Sequence, residues 1–138
     1  MKALIDLLHR EGCSCVIRNG EQVRTFWERG VKDLHRLYTS EPNFLRGADV
    51  ADKVIGRAAA ALMIMGGVKR VYADTMSALA LELFSKSDVV VSYSELVPHI
   101  INRSKSGLCP LESATKDICS LEQIFEIIDN FVRELSKQ

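Results

Sequence analysis

The chain has 138 residues, 47% of them hydrophobic, and its 18 Lys plus Arg balance 18 Asp plus Glu. That length and apolar content fit one domain over residues 1–138 with material for a full core. Zero net charge removes the generic electrostatic case for nucleic-acid binding, and the apolar run at 58–65 is too short to span a membrane.

Residues 2–11 carry Leu4, Ile5, Leu7 and Leu8 on a helical stripe that Gly12 ends. Asp6 interrupts any signal-peptide core, so the expected location is cytoplasmic. The apolar run 13–18, then Asn19-Gly20, then alternation over 21–28 predict a β-hairpin. Residues 33–38 read as a short helix and 39–47 as a loop. The spacing of Val50, Val54, Ala58 and Leu62 predicts a long buried helix over 49–65, capped by Gly66-Gly67. A strand at 68–73, a helix at 75–86 and a strand at 89–93 follow. Val89-Val90-Val91 reads as a strand buried on both faces of a parallel sheet. Residues 94–101 read as a short helix around Pro98. Ser120 and Gln123 form a capping box for a last helix with a regular apolar stripe. Strands alternating with helices, after an antiparallel hairpin, predict an α/β domain: three layers, α-β-α, around a mixed sheet.

The four cysteines, Cys13, Cys15, Cys109 and Cys119, include no C-x-x-C pair, and no His lies at ligand spacing from a Cys pair. Reduced thiols, no metal and no cofactor are expected. The segment Cys109-Pro110-Leu111-Glu112 puts a thiol at a predicted N-cap, with Pro at the first helical position and a carboxylate at the third. A helix N-terminus favours the thiolate; the plainer reading is a cysteine packed as a small hydrophobe.

Several stretches carry a family likeness: Arg29-Gly30-Val31, 47–56 from Gly47 to Gly56, Gly66-Gly67-Val68, Leu96-Val97-Pro98, Ile101-Asn102-Arg103 and Cys109-Pro110-Leu111-Glu112. On these the chain resembles the domain-of-unknown-function family 1893, small bacterial proteins with a cytidine-deaminase-like fold. The resemblance implies that fold over nearly the whole chain. Zinc deaminases need H-x-E or C-x-E at one helix start and P-C-x-x-C at the next. The corresponding places are read here as Asp49–Lys53 and Asp74–Ala78, which hold neither His nor Cys. Zinc deamination is therefore not expected.

What remains is a cleft reading. Asp49, Asp52 and Lys53 at a helix start, Asp74 at the end of a parallel strand, and Asn102 with Arg103 are candidates for binding a small ligand, nucleotide-related in class. Each also has an ordinary role as a cap or solvated charge. Two functions stay open: a non-catalytic ligand-binding or regulatory module, and an enzyme using Cys109 as nucleophile or redox thiol with Glu112 assisting. The expected partner is a small molecule, with neither nucleic acid nor membrane; a homo-oligomer is left open.

Overall fold

The computed structural model describes residues 1–28, 31–100 and 109–136. Helix α1 (Lys2–Glu11) leads to a hairpin, β1 (Cys15–Asn19) and β2 (Gln22–Phe26). Helices α2 (Lys32–Ser40) and α3 (Pro42–Leu45) precede β3 (Asp49–Ile55), α4 (Arg57–Gly66), β4 (Arg70–Ser77), α5 (Ala78–Phe84) and β5 (Val90–Val97). Two helices close the chain, α6 (Pro110–Thr115) and α7 (Leu121–Ser136). The five-stranded sheet has the order β2-β1-β3-β4-β5. β1 is antiparallel to both β2 and β3, while β3, β4 and β5 run parallel. The α/β three-layer expectation is met, with a mixed sheet as predicted.

Among the described elements one face of the sheet carries only α1: Leu4 and Leu8 pack on Val16 and Ala51, with Tyr72 at the margin. The other face carries the main core. There Ile17, Val50, Val71 and Ala73 meet α4, α5, Leu34 and Leu37 of α2, and Ile124 and Ile128 of α7. Helix α4 is apolar almost all round and is the buried centre of that layer. Among the described residues no helix is long and apolar enough to cross a membrane.

The structure shifts several sequence expectations. Residues 49–55 are a strand, so the predicted helix at 49–65 starts only at Arg57. A central strand covered on both faces loses the period-2 alternation that marks strands, and the apolar spacing of 50–62 then imitates a helix. β4 runs on to Ser77, so the helix read at 75–86 begins at Ala78, with the Ser77 hydroxyl accepting the Ala80 N–H. The loop read at 39–47 contains α3, with Pro42 in its first turn. In the hairpin Asn19 pairs with Gln22, so the turn residues are Gly20 and Glu21, one residue later than expected. Gly20 has φ 60°, and the Asn19 amide instead donates to the carbonyls of Phe44 and Arg46. The strand read as doubly buried, β5, is an exposed edge, and 94–97, read as helix, continue it.

At the N-terminal end of β3, Asp49 ties three strands together. Its carboxylate accepts from Nε and Nη2 of Arg70 on β4 at 2.8 and 2.7 Å, and from Nη2 of Arg18 on β1 at 2.8 Å. The bonds to Arg70, then those to Arg18, hold its pKa at about 2 against an ordinary 3.8. A depressed carboxylate pKa stabilises the fold above the unfolded value, and that stability disappears as pH falls through the folded one. Asp49→Asn should therefore cost about 2 kcal/mol at pH 7. The gap to the native chain should close as denaturation is followed down toward pH 2.

Candidate functional site

The residues proposed from sequence fall in three places. Asp49 lies at the N-terminal end of β3. Asp52, Lys53 and Asp74 lie mid-sheet, and Cys109 and Glu112 lie beyond the C-terminal end of the parallel strands. Asn102 and Arg103 are outside the described residues. Asp49, Asp52 and Lys53 are strand residues, not a helix start, and Asp74 is mid-strand in β4 rather than at its end.

The mid-sheet groups divide between the two faces. Asp52 is buried opposite Cys15 in the β1–β3 register and accepts the Val54 N–H at 3.3 Å. Burial pushes its pKa up to about 7 against the bonds that favour the charged form, and the nearby Asp74 charge adds to the rise. Burial also pushes the Cys15 thiol well up, with Asp52 the next cause. Asp74 accepts from the Tyr72 hydroxyl at 2.7 Å and lies 2.8 Å from His9 Nε2 on α1. Burial, then the bond to Asp74, pushes the Tyr72 hydroxyl up to about 12. Lys53 Nζ donates to the Gly12 carbonyl at 3.1 Å.

At the C-terminal edge the chain builds a closed junction. Glu112, 2% exposed, accepts the Arg57 N–H at 2.7 Å on one carboxylate oxygen and the Ile100 N–H at 2.8 Å on the other. The first donor is an otherwise orphaned amide in the first turn of α4, where a carboxylate is favoured. The Cys109 N–H donates to the Ile100 carbonyl at 2.9 Å, so Ile100 is clamped between both ends of the Cys-Pro turn. Cys109 is half-buried and stands at the N-cap of α6, with Pro110 in the first turn, as the sequence predicts. Gly56 is closely packed there: a Cβ would stand 3.1 Å from Glu112 Oε1 and 3.2 Å from Ile100 Cγ1.

Arg57 was missed by the sequence reading. It is fully buried, and its guanidinium donates from Nη1 to the Leu79 carbonyl at 2.7 Å and from Nη2 to the Ile118 carbonyl at 2.8 Å. Nη2 also stands 4.0 Å from Cys119 Sγ, and the nearest acidic oxygen, on Glu82, is 3.9 Å from Nη1. The signal that could have found it is Gly56 directly after Val54-Ile55, a break between a β-branched pair and an Ala-rich run.

The helix starts at the parallel strand ends are thus Gly56-Arg57 and Ser77-Ala78, the first one element later than read from sequence. Neither carries His or Cys. Among the described residues no three His, Cys, Asp or Glu side chains are grouped as metal ligands would be.

The family model described as TM1506, domain of unknown function (DUF1893), matches residues 3–132. The chain belongs to this family. A DUF1893 family protein (TM1506) from Thermotoga maritima has a similar crystal structure: TM-score 0.85, 24% identity, covering 99% of this chain and 88% of that one. At that identity the likeness shows a shared fold. No curated protein matches the chain.

Two substitutions separate the two buried carboxylates. Asp52 has a folded pKa above its unfolded one, so its ionisation opposes folding increasingly as pH rises from about 4 through 7. Asp52→Asn should therefore stabilise the chain by up to about 4 kcal/mol at pH 8 and change little at pH 4, as read by urea denaturation at both values. Glu112→Ala leaves two buried N–H groups without acceptors and should destabilise by about 3 kcal/mol. A midpoint unchanged by that substitution would contradict the junction.

Proposed function

We propose that this member of the DUF1893 family is a small-ligand-binding module, nucleotide-related in ligand class, whose site lies beyond the C-terminal ends of β3, β4 and β5. The observation that supports it is the fixed carboxylate of Glu112. Each of its oxygens accepts one backbone N–H, and at 2% exposure the carboxylate fixes Ile100 and the start of α4 as a rigid floor for that site. In open α/β sheets ligands enter the crevice at the strand C-termini. A floor held rigid there suits a small planar ligand, such as a nucleobase. Two helix starts without soft ligands favour binding over metal-assisted hydrolysis.

A second reading, thiol chemistry at Cys109, is favoured by one fact: the bond from the Cys109 N–H to Ile100 holds that thiol on the same junction as Glu112. Glu112 works against it, because a neighbouring carboxylate disfavours a thiolate.

The test is thermal denaturation with a panel of nucleosides and nucleoside monophosphates, beside native mass spectrometry of freshly purified protein. A ligand at about 100 times its Kd stabilises by about 2.7 kcal/mol, a shift of several degrees. At least one compound should give that shift with the native chain and not with Glu112→Gln. Loss of the shift in Cys109→Ser as well, with ligand protecting Cys109 from iodoacetamide, would favour the thiol reading. No shift across the panel and a bare mass would overturn the binding reading.

A further inference from the structure

We propose that β5 is a self-pairing edge, through which two copies of this chain join their five-stranded sheets into one continuous sheet about a two-fold axis. The two edges of the sheet differ in a way that points there. β2 is five residues long and carries Arg24, which pairs with Glu41 across to the end of α2. A short edge with charge on it is how proteins ordinarily prevent unwanted pairing. β5 is eight residues long, holds no Pro, Lys or Arg, and has Glu95 as its one charge. It carries three of the seven large hydrophobic side chains exposed on the described surface: Val90 (62%), Tyr93 (39%) and Leu96 (43%). Among the described residues no strand pairs with its outer side.

The register with β4 shows which partner fits. Val91, Tyr93 and Leu96 pair with Val71, Ala73 and Met76, which face the main core, whereas Ser92 pairs with Tyr72, which faces α1. Tyr93 and Leu96 share a face though three residues apart, so the alternation slips once between them. Across an antiparallel two-fold, opposite residues must share a face. Because of the slip, the register that matches faces at six of the eight residues sets Leu96 against the second copy's Val91, Val97 against Val90, and Glu95 against Ser92, with Tyr93 meeting Ser94 at the centre. Glu95 then meets a hydroxyl donor, and the two copies of it stand about 10 Å apart along the strands. The strand is therefore complementary to itself in hydrophobic contact and hydrogen bonding, which an unrelated peptide would have to match by chance.

Light scattering on the native chain at about 100 μM should give the dimer mass, in the range where weak self-association is populated. The double variant Val90→Lys, Leu96→Lys places like charges on solvent-exposed positions and should be monomeric, with unchanged far-UV circular dichroism and denaturation midpoint. The double variant Ser92→Cys, Glu95→Cys should form an interchain disulfide under mild oxidation. That band should be absent from the parent chain on a non-reducing gel, and peptide mapping should place it between the introduced thiols. A monomeric native chain overturns the proposal, as does a dimer that survives the lysine pair or a dimer that gives no such crosslink.

Discussion

The constraint on which the C-terminal half depends is the pair of buried charges at the start of α4. Arg57 is enclosed among α4, α5 and the α6–α7 connection, and Glu112 among α4, α6 and the segment after β5. Removing an ion from water costs several kcal/mol unless its bonds are replaced, so these groups persist only while all of these segments are in place around them. Among the described residues the guanidinium is satisfied almost wholly by carbonyl oxygens, and the carboxylate wholly by peptide N–H groups. Neither depends on another flexible side chain. The junction thereby fixes backbone to backbone, and it closes the strand ends with the protein's own polar groups.

Asp49 and Asp52, three residues apart on one strand, show how far environment overrides residue type. Asp49 sits at the rim with two guanidinium groups, and its carboxyl falls to about 2. Asp52 faces the main core beside a thiol, and its carboxyl rises to about 7. Placed on opposite faces by an odd spacing, one is a cross-strand tie present at every physiological pH. The other changes charge near neutrality inside the core. Neither is at the strand ends where Glu112 lies, so the acidic content of 49–53 does not mark a single cleft.

The parts of the fold that were legible in the sequence are those fixed locally. Gly12 ends α1, Pro110 and Cys109 start α6, and the stripe of α7 packs as its period requires. β3 was illegible because its polar residues are satisfied by partners far along the chain, Arg18, Cys15 and Arg70, while its apolar spacing also suits a helix. β5 failed in the opposite sense: three consecutive valines describe a strand that both faces would welcome, but nothing local says how far the covering helices extend. At the site, Cys109 and Glu112 were readable from their own turn. Arg57 was not, because a helix drawn from residue 49 hides the junction at Gly56.

Coverage of the sheet is a matter of width. A helix is about 10 Å across and strands are about 4.8 Å apart, so one helix shields about two strands. α1 settles on β1 and β3, reaching Tyr72 and, through His9, Asp74 of β4, and no other described helix packs on that face. Among the described residues nothing covers one face of β5 or pairs with its outer edge, which is the geometry that favours extension of a sheet over closure. The same strand ends at Val97, three residues before Ile100, whose N–H holds one oxygen of Glu112. Whatever fixes the path of β5 also fixes that donor. The edge of the sheet and the junction at its strand ends are therefore joined by a short stretch of backbone, and the order of one bears directly on the geometry of the other.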